Sequence, residues 1–241
     1  AVLVSTLWFP EAGLILAEVL FTAGMLIFLA ARATEPPIVP HADRPGGLAV
    51  RRPGLLLVAT ALVMTGMIFG GNEVIAVAFA DEAGTKTFSS IVLGAFALGS
   101  TIAGLLFGTR IFRSTMTRRL FLAAGGMFLL EVPALFVDGL WPLAVVMFIA
   151  GSATAPLLIT SLSLAQRLVP KALVTEGMAV AITGILIGIS LGSAIAGWAI
   201  EAWGAQAAYA VPIAAGACAF AIIGVRYRHL ERAELAAADY H

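Results

Sequence analysis

Charge is what this chain has least of. Asp, Glu, Lys and Arg make up 12% of its 241 residues, while 61% are hydrophobic. Soluble domains carry about 25% charged residues, so the composition excludes a soluble globular domain and leaves an integral membrane protein. Lysine is nearly missing: Lys86 and Lys171 both lie in loops between apolar runs, which excludes a buried Schiff-base lysine and with it a retinal-type light sensor. His41, His229 and His241 fall in polar segments, so no span offers a Ser–His pair or a histidine metal ligand. Cys218 is the single cysteine, which excludes an internal disulfide and any cysteine-based metal site. With no metal and no cofactor expected, an intramembrane enzyme is disfavoured. The formal net charge is zero and no basic block occurs, so nucleic acid is not an expected partner.

Long apolar runs are what the chain has in abundance. About 20 apolar residues are needed to cross the hydrocarbon core as a helix, and seven segments qualify: 12–32, 54–80, 88–109, 120–137, 142–165, 177–200 and 207–225. They are too long, and alternate too little, for barrel strands. The expected fold is therefore an all-α membrane protein of seven transmembrane helices.

Basic residues orient it. Place the connector 33–53, the loops 110–119 and 166–176, and the tail after 225 on one side. That side, with Arg32 at its border, then holds Arg44, Arg51, Arg52, Arg110, Arg113, Arg118, Arg119, Arg167, Lys171, Arg226, Arg228 and Arg232, leaving only Lys86 opposite. Cytoplasmic loops carry the excess of Lys and Arg, so the C-terminus is expected in the cytoplasm. Trp8, Trp141, Trp198 and Trp203 lie at or near the other ends of the spans, as interfacial tryptophans do.

Prolines 36, 37, 40, 45 and 53, with Gly46 and Gly47, interrupt the connector 33–53 and prevent helix continuation. The expected organisation is one helix within 1–32, a cytoplasmic linker over 33–53, a six-helix bundle over 54–225 and a cytoplasmic tail over 226–241. The six split into two triplets. An odd number of spans in each places the second upside down relative to the first, as in the inverted repeats of secondary transporters. Each middle helix carries glycines at near-helical spacing: Gly94, Gly99, Gly104 and Gly108 in one, Gly184, Gly188, Gly192 and Gly197 in the other. Small residues on one face let helices approach closely, so these are expected packing faces.

FGTRIFRSTMTRRLF (107–121), GILIGISLGSAIAGWAIEAWG (184–204), GGNEVIAVAFADEAG (70–84) and the Pro/Arg connector together resemble the major facilitator superfamily. The first is similar to that family's basic loop between helices 8 and 9, here built on Arg110, Arg113, Arg118 and Arg119. It lacks the acidic residue and the glycine of the fuller version, with Ser114 and Thr117 near those places. The second resembles a glycine-rich helix 11, and the third resembles helix 7 of bacterial efflux-type members. The resemblance implies that residues 1–8 end helix 5, that 12–32 is helix 6 and that 54–225 are helices 7 to 12 of an alternating-access transporter. A five-helix portion of the same protein is then missing. The implied setting is the lipid bilayer of a bacterial inner membrane, with a small-molecule substrate and efflux by an antiporter. Substrate, direction and coupling ion, a proton among them, stay open. Central cavities in this family are lined chiefly by helices 1, 4, 7 and 10.

Three acids fall inside spans, Glu18, Glu73 and Glu131, with no Lys or Arg at comparable depth. A lone carboxylate in hydrocarbon must be hydrated, protonated or paired. Glu73 is the expected substrate- or proton-binding residue, with Asn72 beside it facing a wet cavity and Gly66 and Gly70 leaving room for a ligand. Ser152, Thr154 and Pro156 on the facing helix are expected to line the same cavity. Glu18 and Glu131, on flanking helices, are expected to be structural or interfacial. A seven-helix ligand receptor and a half-transporter needing a partner chain are the alternatives.

Overall fold

The computed structural model describes residues 12–30 and 52–237. The expected end of helix 5, Trp8, Arg32, and most of the connector with His41, Arg44 and Arg51 lie outside the described residues. The chain divides into two compact units, 1–44 and 45–241. The first contains helix α1, Ala12–Ala30. It bears exposed large apolar side chains such as Leu20, Phe21 and Phe28, and the Thr22 hydroxyl donates to the exposed Glu18 carboxylate, one turn away, at 3.5 Å.

The second unit holds α2 (Pro53–Glu82), α3 (Ser89–Gly108), α4 (Met116–Glu131), α5 (Leu140–Arg167), α6 (Val174–Trp203), α7 (Ala205–Ala208), α8 (Ala210–Val225) and α9 (Tyr227–Ala236). No strand occurs among the described residues. Among the described residues, six helical stretches are long and apolar enough to cross a membrane: Pro53–Glu82, Ser89–Gly108, Met116–Phe136, Leu140–Arg167, Lys171–Trp203 and Ala205–Val225. By the same measure Glu18–Ala30 is a shorter apolar helix. Seven spans were expected from hydropathy.

Local chemistry explains the boundaries. Proline opens α2, where its missing N–H would have been unbonded anyway. Helix α4 starts before residue 120 because the Thr115 side chain accepts the Arg118 N–H at 3.3 Å, an N-cap that hydropathy does not register. After Glu131 it tightens into a 3-10 turn, Val132–Phe136, where Pro133 cannot donate the next helical bond. Gly204 ends α6 at φ 84°, a left-handed conformation that suits glycine. The expected span 207–225 begins instead as α7 at Ala205 and resumes as α8. The segment after 225 is more than a tail: α9 buries Leu230 against the bundle, and the Glu234 carboxylate accepts the N–H groups of Met116 and Thr117 at 2.7 and 2.9 Å.

Packing is dominated by α2 against α6 and α3 against α5, with α4 against α5, and α8 against both α2 and α4. Glycine makes the first two contacts possible. A Cβ on Gly188 would collide with the Val63 carbonyl oxygen, and on Gly192 with that of Met67; one on Gly66 would strike the Ile185 carbonyl. Across the other pair, Gly99 lies on the Phe148 carbonyl and Gly151 on that of Phe96. Gly184 approaches the Ala59 carbonyl, and a Cβ on Gly104 would meet the Ala155 methyl at 3.0 Å. At Gly94, Gly108 and Gly197, nothing among the described residues lies within 4 Å of where a Cβ would be. Gly197 lies about 140° round the helix from Gly192, and Gly108 is the last residue of its helix. Outward-facing Leu98, Ile102, Leu105, Ile182, Leu186 and Ile187 are exposed, and Trp141, Trp198 and Trp203 are exposed near the helix ends where interfacial rings belong.

Candidate functional site

Helix α2 sorts its residues by face. Adjacent residues point about 100° apart on an α-helix, while i and i+4 share a side. Gly66 and Gly70 therefore turn together toward α6, where the carbonyls of Ile185 and Ile189 fill the space a side chain would occupy. They leave no room for a ligand; the expected gap beside Glu73 is closed by backbone. Glu73 and Phe69 lie along the edge of that stripe, about 20° and about 60° round the helix from Gly66, and this edge is open.

A groove of about 510 Å³ runs along that edge. Its walls are Phe69, Asn72 and Glu73 from α2, Leu93 and Phe96 from α3, Leu158 from α5, and Ile185 and Ile189 from α6. The rings of Phe69 and Phe96 meet edge to face at 6.0 Å. Glu73 is exposed along this groove and is the one charged side chain among the described residues that line it. An apolar trough with a single carboxylate can hold a molecule that is apolar over most of its length and positive or hydrogen-bond-donating at one point.

The other expected lining residues sit elsewhere. Ser152 donates its hydroxyl to the Ile149 carbonyl of its own helix at 2.6 Å. Thr154 is buried, pointing at the Met127 sulfur of α4 at 3.9 Å. Neither they nor Pro156 line the groove, to which α5 contributes Leu158. Ser152 and Thr154 are consumed by local and interhelical contacts, as hydroxyls in apolar helices commonly are.

Asn72 departs from expectation in a different way. Only its edge reaches the groove; the residue is 3% exposed, and both its amide atoms are buried without a hydrogen-bond partner. They turn inward, where the Asn72 side chain comes within reach of Glu131. Glu131 is 1% exposed and Tyr209, close enough to sense its charge, is fully buried. A flanking-helix position did not suggest this. One signal was available: Asn72 is the only asparagine in the chain, and a lone amide and a lone acid buried in apolar helices each need a polar partner.

The basic loop lies at the far end of the bundle. Arg110, Arg113 and Arg118 are exposed, and Arg119 is half-buried with its guanidinium 5.2 Å from the Phe112 ring centre. The Glu234 contacts bring α9, with Arg226, Arg228 and Arg232, to this same end.

A family model described as Major Facilitator Superfamily matches residues 58–239, most of the bundle unit. The chain belongs to the major facilitator superfamily. Members of this superfamily are transporters, and the six long apolar stretches make the chain a multi-pass membrane protein. Neither a curated protein nor a solved structure matches it significantly. The superfamily match covers α2, α3, α5 and α6, so every wall of the groove belongs to the matched region.

Proposed function

We propose that the chain is helix 6 and the C-terminal six-helix half of a secondary transporter that exports a small amphipathic cation by alternating access. The observation that carries this reading is Glu73, an exposed carboxylate on an otherwise apolar groove formed by α2, α3, α5 and α6. In the two-triplet scheme α2 and α5 are the first helices of their triplets and α3 and α6 the second. Exchanging the triplets turns the α2–α6 contact into the α5–α3 contact. Close glycine–carbonyl approaches occur in both (Gly188 on Val63, Gly151 on Phe96), which supports the inverted repeat. The groove would form one wall of a central cavity, and a five-helix portion of the same protein would supply the other.

Basic side chains gathered at the end that carries α9 support a cytoplasmic C-terminus in a bacterial inner membrane. Antiport against protons is the coupling this reading takes.

Proteoliposomes holding the full transporter test it. Uptake of a lipophilic cation is compared with that of its uncharged analogue, in wild type and Glu73→Gln. The variant is expected to lose at least about tenfold in kcat/KM for the cation, the equivalent of about 1.4 kcal/mol, and little for the neutral compound. Equal rates and an unchanged pH dependence in Glu73→Gln would remove Glu73 from substrate and proton binding alike.

A further inference from the structure

We infer that Glu131, Asn72 and Tyr209 form a site for a single proton inside the bundle, behind the groove wall. Three elements bring these residues together: α4 ends at Glu131, α2 supplies Asn72, and Tyr209 lies at the joint between α7 and α8. All three are more than nine-tenths buried. None of their five polar side-chain atoms has a hydrogen-bond partner, although Asn72 is within reach of the Glu131 carboxyl and Tyr209 is close enough to sense its charge.

An isolated buried carboxylate is strongly disfavoured unless something neutralises it. No described basic side chain is placed to do so. On α4 itself the nearest is Arg119, twelve residues and about 18 Å along the helix. Helix α5 carries only Arg167, at its last residue, α7 and α8 have no charged residue, and α9 joins α4 at the Met116 end. Glu73 on α2 faces the groove, Asp81 and Glu82 lie at the end of that helix, and Glu82 accepts the Ala205 N–H at 3.0 Å. Asp138, beyond the 3-10 turn, is exposed.

A metal ion does not fit. Two carboxylate oxygens, one amide oxygen and one phenol oxygen fall short of the six to eight that calcium takes, and no cluster of metal-ligating acids, histidines or cysteines occurs among the described residues. A proton fits all three groups. A carboxylic acid donates one bond, the Asn72 carbonyl oxygen can accept it, and the Asn72 amide and Tyr209 hydroxyl can donate to the remaining oxygen. The inference stands whether or not the groove carries substrate. Because Asn72 adjoins Glu73, a proton here is held by the same turn of α2 that presents the groove carboxylate.

Infrared spectroscopy of the full transporter in lipid nanodiscs near neutral pH is the test. A carboxylic-acid carbonyl band is expected that moves on ¹³C-glutamate labelling, disappears in Glu131→Gln and shifts in Asn72→Leu. No such band in wild type, or one that persists unchanged in Glu131→Gln, overturns the inference. So does a band that appears only when sodium and potassium are replaced by a large organic cation, since Glu131 would then hold a metal ion. Should the variants fail to fold, labelled wild type read against pH decides. A glutamic-acid band that survives where exposed carboxylates are ionised supports the site, and one that vanishes together with theirs refutes it.

Discussion

The Glu234 carboxylate accepts the Met116 N–H at 2.7 Å, and so the last described helix is tied to the first turn of α4. Its second oxygen takes the Thr117 N–H at 2.9 Å and the Thr117 hydroxyl at 2.7 Å. A carboxylate at a helix N-terminus satisfies N–H groups that have no partner within the helix and meets the positive end of the helix dipole. Hydrogen bonds to a charged group contribute about 1.5–3 kcal/mol. Glu234→Ala is expected to lower the thermal midpoint of the detergent-solubilised protein by several degrees, and Glu234→Gln by less, because an amide oxygen still accepts one bond. Equal midpoints for all three proteins would show that the tie contributes nothing.

Glycines in the same helices should respond oppositely to substitution. Gly188→Val and Gly99→Val place atoms where the Val63 and Phe148 carbonyls already lie, and overpacking of this kind costs about 1–3 kcal/mol or more. Gly94→Ala and Gly108→Ala meet open space and remove a poor helix former, so stability is expected to hold or rise slightly. Thermal unfolding of the four variants side by side checks this; a common response would mean that close approach is not what these positions provide.

On α5 the groove and the buried face are separated by residue. Leu158→Ala removes apolar wall and is expected to raise KM roughly fivefold, from about 1 kcal/mol of lost burial, with kcat little changed. Ser152→Ala is expected to leave KM alone, because that hydroxyl serves the Ile149 carbonyl. Initial transport rates over a range of substrate concentration distinguish the two.

Hydropathy was enough to place the described spans of the bundle unit to within a few residues. It depends only on how many apolar side chains occur in a row. The shifted boundaries came from Thr115, Pro133 and Gly204, whose effects work through single hydrogen bonds and backbone angles. Glycine spacing was legible as a pattern, but its partner was not. Gly99 and Gly94 look alike in sequence, and only one of them has a neighbouring backbone to meet.

Asn72 and Glu73 mark the limit most clearly. Composition alone determined that both stand within a membrane helix and that each needs compensation, because the cost of a polar group in hydrocarbon does not depend on the fold. Which compensation each receives was decided by tertiary structure. A turn of about 100° between neighbours sends Glu73 to the open groove and Asn72 toward Glu131, fifty-nine residues further along the chain. No local pattern encodes that meeting. It exists because α8 packs on both α2 and α4, and the end of α4 thereby arrives beside the only asparagine in the chain.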